Sequence, residues 1–162
     1  MMKEYRITKY DPQYRDDSGV FTKPEWTMFS DIGETIGGHV VSESEYERIE
    51  SAYINAALHF LNEAGIDSLI VRGLENHGGY PTAMTEGQTL STRELQTAFR
   101  EILREKCWCC FERDGMGFVH FGYDYYMYVG VSRTCTNSIR YAEEQGLFVE
   151  EFRSPYHPED EG

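Results

Sequence analysis

The stretch from Cys107 to Val131 constrains the fold most. It contains three runs that read as strands, Cys107 to Arg113, Gly117 to Phe121 and Asp124 to Val131, rich in aromatic, thiol and β-branched side chains. The gaps between them are no longer than three residues, and the first holds Asp114-Gly115, a hairpin turn pair. A parallel crossover needs about a dozen residues or more, so three successive strands without one exclude a doubly wound parallel sheet. The pattern predicts an α+β fold, a mostly antiparallel sheet packed with about three helices. No linker or repeat divides the chain, so one domain is expected over residues 1–157, with an acidic tail at 158–162.

The helices announce themselves through caps and spacing. Ser42-Glu43-Ser44-Glu45 is a capping box. Behind it Tyr46, Ile49, Tyr53, Ala56, Ala57, Phe60, Leu61 and Ala64 form one apolar stripe, closed by Gly65. Ser91 to Glu94 opens a second helix carrying Leu95, Ala98, Phe99, Ile102 and Leu103 on one face. A third spans about Thr136 to Gln145, before Gly146. Further strands are predicted at Glu4–Tyr10, which Asp11-Pro12 stops, at Trp26–Phe29, Ser68–Arg72 and Leu147–Phe152.

Charge narrows the function classes. The 28 Asp and Glu against 15 Lys and Arg give a net charge of −13. Nucleic acid and anionic membranes are poor partners for such a chain, because both are held through basic patches. No apolar run approaches the roughly 20 residues that span a bilayer, and Met1 to Arg6 lacks the apolar stretch of a secretory signal. A cytoplasmic protein is expected, with Cys107, Cys109, Cys110 and Cys135 as thiols.

The chemistry-bearing residues form no strong signature. Cys107-Trp108-Cys109-Cys110 has C-x-C-C spacing without a second ligand pair, so buried small hydrophobes are the simpler reading, with Cys107 and Cys109 facing one way and Cys110 the other. His120 shares a face with Asp124, Tyr126 and Tyr128 if the strand runs on, whereas a turn at Gly122-Tyr123 breaks that cluster. There is no phosphate loop and no nucleophile elbow. No catalytic residue, cofactor or metal is expected. Acidic side chains are spread over loops (Asp31, Glu34, Glu75, Asp114, Asp124) and helix faces (Glu43, Glu47, Glu50, Glu101, Glu143, Glu144). With surplus tyrosine they suit capture of a basic protein.

Tyr10-Asp11-Pro12, Glu25-Trp26-Thr27, Ser30-Asp31-Ile32-Gly33, the stretch Phe118 to Gly130, Leu147 to Glu150 and Ser154-Pro155-Tyr156 are scattered over most of the chain. In these pieces it resembles bacterial immunity proteins of polymorphic and contact-dependent growth-inhibition toxin systems. The resemblance implies a cytoplasmic inhibitor that binds one cognate toxin domain, often a nuclease, and blocks its active site or substrate groove. It carries no binding residue over by position. From charge and aromaticity, the partner contacts are expected among Asp31, Glu34, Asp124, Tyr126 and Tyr128. Two alternatives stand beside it: a small hydrolase using His120 with Asp124 or a neighbouring tyrosine, and a module that self-associates through its aromatic sheet face.

Overall fold

The computed structural model describes residues 2–157; the acidic tail expected at 158–162 lies outside the described residues. The elements in chain order are β1 (Lys3–Thr8), β2 (Thr35–Ile36), β3 (His39–Val40), α1 (Glu43–Glu63), β4 (Ser68–Glu75), β5 (Thr89–Ser91), α2 (Thr92–Leu103), β6 (Trp108–Arg113), β7 (Gly117–Phe121), β8 (Met127–Val131), α3 (Thr136–Glu144) and β9 (Phe148–Glu151). Seven strands make one sheet in the order β5-β4-β6-β7-β8-β1-β9, and every pairing in it is antiparallel. The fold is α+β, with β2 and β3 as a separate two-stranded ribbon.

Strand alternation sorts the sheet into two faces. Tyr5, Ile7, Leu69, Val71, Cys109, Phe111, Val119, Phe121, Met127, Val129 and Val131 are buried in the main core. Helix α1 meets this face through Phe60, whose ring lies 5.7 Å from Tyr5, and α2 through Phe99, 5.1 Å from Phe111. Helix α3 lies beside α1, with Tyr141 stacked on His59 at 4.5 Å and the Glu63 carboxylate accepting from Ser138. The stop at Gly65 works as its spacing predicts: Ile66 N–H reaches Leu61 and Gly65 N–H reaches Asn62, with Gly65 at φ 76°.

The opposite face carries Glu4, Arg6, Cys110, Glu112, Phe118, His120 and Tyr128, by register. The C-terminal segment folds back over it, with Ser154 Oγ 2.7 Å from His120 Nδ1, and Tyr156 packed on Trp108 and Tyr128. The aromatic face considered for self-association is therefore covered by the chain's own residues. At the other end of the sheet, Glu86 accepts from the amides of Gly73 and Leu74, at 3.0 and 2.7 Å, along the margin of β4.

Three expectations are corrected. Trp26–Phe29 is not a strand. The Trp26 carbonyl accepts from Lys9 Nζ, and the Thr27 amide donates to Asp31, so side chains take the groups a ladder needs. Strand β8 begins at Met127 rather than Asp124. Asp124 and Tyr125 adopt left-handed conformations, at φ 59° and 66°, and Tyr126 N–H closes the turn on the Tyr123 carbonyl. Burial of the Tyr125 ring against Trp26, Tyr46 and Tyr53 holds that unfavourable geometry. Glu50 is not a solvated helix-face acid; it is only 2% exposed. Its carboxylate accepts from Tyr46 at 2.8 Å, from Arg100 at 3.2 Å and from Arg104 at 2.9 and 3.0 Å.

Replacing Glu50 by Ala removes the common acceptor of these donors. The loss is expected near 3 kcal/mol, the low end for a broken buried pair because both guanidiniums reach water. Urea unfolding followed by circular dichroism measures it.

Alkaline pH tests the buried hydroxyls and thiols. Burial raises Tyr10, Tyr46, Tyr53, Tyr125, Cys109, Tyr128 (to about 12) and Cys107 (to about 11). Unfolded, these groups ionise near their ordinary values of 9.0 for Cys and 10.0 for Tyr. The unfolded chain thus holds fewer protons above those values, and stability falls as pH rises through them. Lys9, lowered by burial to about 8, acts in the opposite sense, as one group against several. The urea midpoint is expected to be lower near pH 10.5 than near pH 8.

Candidate functional site

A cleft of about 420 Å³ opens where three connections meet. Its walls come from the end of β4 and the loop after it (Glu75, then His77 and Gly78), the junction of α2 with β6 (Glu105 to Trp108) and the β7–β8 turn (Gly122, Tyr123), with Tyr156 on the fourth side. A register shift between Arg72 and Glu75 bends β4 where it leaves the sheet beside Trp108. The indole of Trp108 is oriented by its N–H, which donates to the Phe121 carbonyl at 2.8 Å. Its ring lies 5.6 Å from Tyr156. Tyr123 stands at the rim, 80% exposed.

Glu105 occupies an unusual place in this wall. Helix α2 ends with Lys106 N–H on the Glu101 carbonyl and Glu105 N–H on Ile102, which puts Glu105 at φ 58°. Glycine usually fills that position, since a Cβ there crowds the backbone. Among the described residues neither Glu75 nor Glu105 forms an ion pair. The neighbouring Lys106 ammonium is 5.5 Å from the Tyr80 ring centroid and 6.0 Å from that of Phe29. The cleft offers carboxylates beside aromatic faces, a setting for a guanidinium or ammonium group. Cys107 also lines it, but burial first and Glu101 second raise its thiol to about 11, so it is no nucleophile near neutral pH.

The residues expected at a partner interface divide. Asp124 is exposed and follows Tyr123 at the rim, while its carbonyl accepts from Tyr10 at 2.6 Å. Glu34 is exposed on the loop just before β2. Asp31 closes that loop through Thr27 and is half-buried. Tyr126 packs 5.5 Å from Tyr10, and its hydroxyl accepts from Arg15 at 2.9 Å. Tyr128 is 7% exposed under Phe152 and Tyr156, so it serves packing rather than contact. Glu75, Glu105, Trp108, Tyr123 and Tyr156 were not among the expected contacts. They come from four separate segments, and only the left-handed helix end before Lys106 marks any of them locally.

His120 and Asp124 are not brought together. His120 pairs across the ladder with Tyr128, while Asp124 sits in the turn beyond the strands. The strand thiols divide as alternation predicts: Cys107 and Cys109 join the helix-side core, whereas Cys110 lies on the other face near Glu112 and His120; Cys135, before α3, is buried in the same core as Cys109. Comparisons with protein-family models, with curated proteins and with solved structures find no match for this chain.

Glu105→Gly relieves the left-handed strain without removing a bond the fold uses. It is expected to raise stability by about 1 kcal/mol, read as a higher urea midpoint.

Proposed function

We propose that this protein is an immunity protein, which binds a basic toxin domain and neutralises it by covering its active site or substrate groove. The observation that carries the proposal is the cleft at the end of the sheet. Two carboxylates without ion partners among the described residues, Glu75 and Glu105, stand among Trp108, Tyr123 and Tyr156. An arginine or lysine of the partner inserts there, its charge against the carboxylates and its stem against the rings. Tyr123 supplies an exposed aromatic anchor, and Asp124, next to it in the chain, adds an exposed carboxylate.

Keeping Glu105 where glycine is easier fits this role, because a binding residue is retained at a cost to stability. The charge of −13 adds a long-range field that speeds encounter with a positively charged domain. Such a complex stays in the bacterial cytoplasm, needs no cofactor and involves no catalysis by this chain.

The test begins with affinity isolation from the host and identification of the bound protein. That protein is expected to be basic, to arrest growth when expressed alone, and to lose this effect when the chain is co-expressed. Glu75→Lys and Glu105→Lys should each slow association roughly tenfold at low salt and flatten its salt dependence. A partner that is acidic or harmless, or both variants associating at the wild-type rate, would overturn the reading.

A further inference from the structure

We propose that Cys110, Glu112 and His120 form a binding site for a divalent transition-metal ion of the zinc type, on the sheet face away from the helices. Cys110 and Glu112 are alternate residues of β6 and therefore point to the same side. Phe111 lies opposite Val119 and Glu112 opposite Phe118, so the register brings Cys110 level with His120 on β7. One donor atom from each residue, the thiol sulfur, a carboxylate oxygen and an imidazole nitrogen, lies within 4.8 Å of the other two. A tetrahedral zinc ion sets its ligand atoms roughly 3.3–3.8 Å apart, given bonds of about 2.0–2.3 Å. The 3.4 Å between His120 Nε2 and Glu112 Oε1 already meets that spacing. No pair has to close by more than about 1.3 Å.

A second observation points to a ligand. His120 is 1% exposed, and its Nε2, directed at Glu112, has no hydrogen-bond partner among the described residues. Everything else about the ring is fixed. Nδ1 lies 2.7 Å from Ser154 Oγ, which also accepts from the Tyr156 amide at 3.1 Å. The ring stacks on Phe118 with centroids 4.2 Å apart and planes 19° from parallel. If Nδ1–H donates to Ser154, the lone pair of Nε2 is free for a metal, the arrangement that outer hydrogen bonds enforce on ligating histidines.

The donor set selects the ion. Thiolate and imidazole favour zinc over magnesium or calcium, which prefer oxygen. Binding converts the Cys110 thiol to a thiolate that bonds the metal, and the displaced proton goes to solvent. Three protein ligands leave a fourth position for water. The ion ties β6 to β7 and, through Ser154, to the segment that covers this face.

The experiment uses the full chain, treated with chelator and reductant and then titrated with Co²⁺ in the absence of air. One equivalent is expected to produce tetrahedral d–d absorption and a thiolate-to-cobalt charge-transfer band, both erased by Zn²⁺. Cys110→Ser should abolish the charge-transfer band, and Cys107→Ser should leave it intact. Glu112→Gln, closest in shape, should keep the band but weaken cobalt binding more than about tenfold. Absence of the band in folded wild-type protein, or its persistence in folded Cys110→Ser protein, would overturn the proposal. If Cys110→Ser does not fold, alkylation of the wild type decides. Zn²⁺ must protect Cys110 from a thiol reagent in unfolding-quenched mapping, and equal labelling with and without Zn²⁺ refutes the site.

Discussion

The carboxylate of Glu50 ties together parts of the chain that share no strand ladder. It sits in the first half of α1, nearly cut off from water, where an uncompensated charge is not tolerated. Two arginines four residues apart, Arg100 on α2 and Arg104 at its C-terminal cap, and the hydroxyl of Tyr46 satisfy it. Tyr46 in turn accepts from Tyr125, the tip residue of the β7–β8 turn. The helix pair is thereby set against the end of the sheet where the cleft opens. Trp26 packs on the same two tyrosines, so the long irregular stretch between β1 and α1 is anchored there as well. Hydrophobic burial alone would leave the rotation of α2 less defined; the bidentate geometry of Arg104 fixes it.

The sheet separates two kinds of chemistry. Its helix side is apolar, with Val119, Val129 and Phe111 in the core that α1 and α2 cover. Its other side mixes ionisable groups with rings. Arg6 pairs with Glu150 and lies 4.1 Å from the Phe152 ring centroid, and His157 reaches Glu4 at 2.6 Å. The C-terminal segment closes this second layer with side chains of both kinds, which is why a polar cluster such as that around His120 is found under cover.

Much of the architecture was legible because it is local. The Ser91–Glu94 capping box, the stripe from Tyr46 to Ala64 and the alternation through Phe118–Phe121 each depend on neighbours a few residues away. What escaped depends on distant partners. Glu50 looks like a solvent-facing acid until Arg100 and Arg104 arrive from another helix. Asp124-Tyr125 lacks the glycine that marks a tight hairpin, and only the pocket made by Trp26, Tyr46 and Tyr53 stabilises it. The cleft joins Glu75, Glu105, Tyr123 and Tyr156 across four segments. Alternation separates Cys110 from Cys109, yet its proximity to His120 emerges only from the strand register.

The carboxylate of Glu86 has a consequence for how the sheet meets other chains. An open strand margin invites a second chain to add its own backbone, and growth of that kind ends in fibres. Here β4 has its outer amides at Gly73 and Leu74 occupied by a side chain, and its edge partner β5 is only three residues long. The far margin, β9, is four residues long and carries Glu150 and Glu151. Both borders are therefore poor templates for a further strand, which disfavours growth of the sheet from either edge.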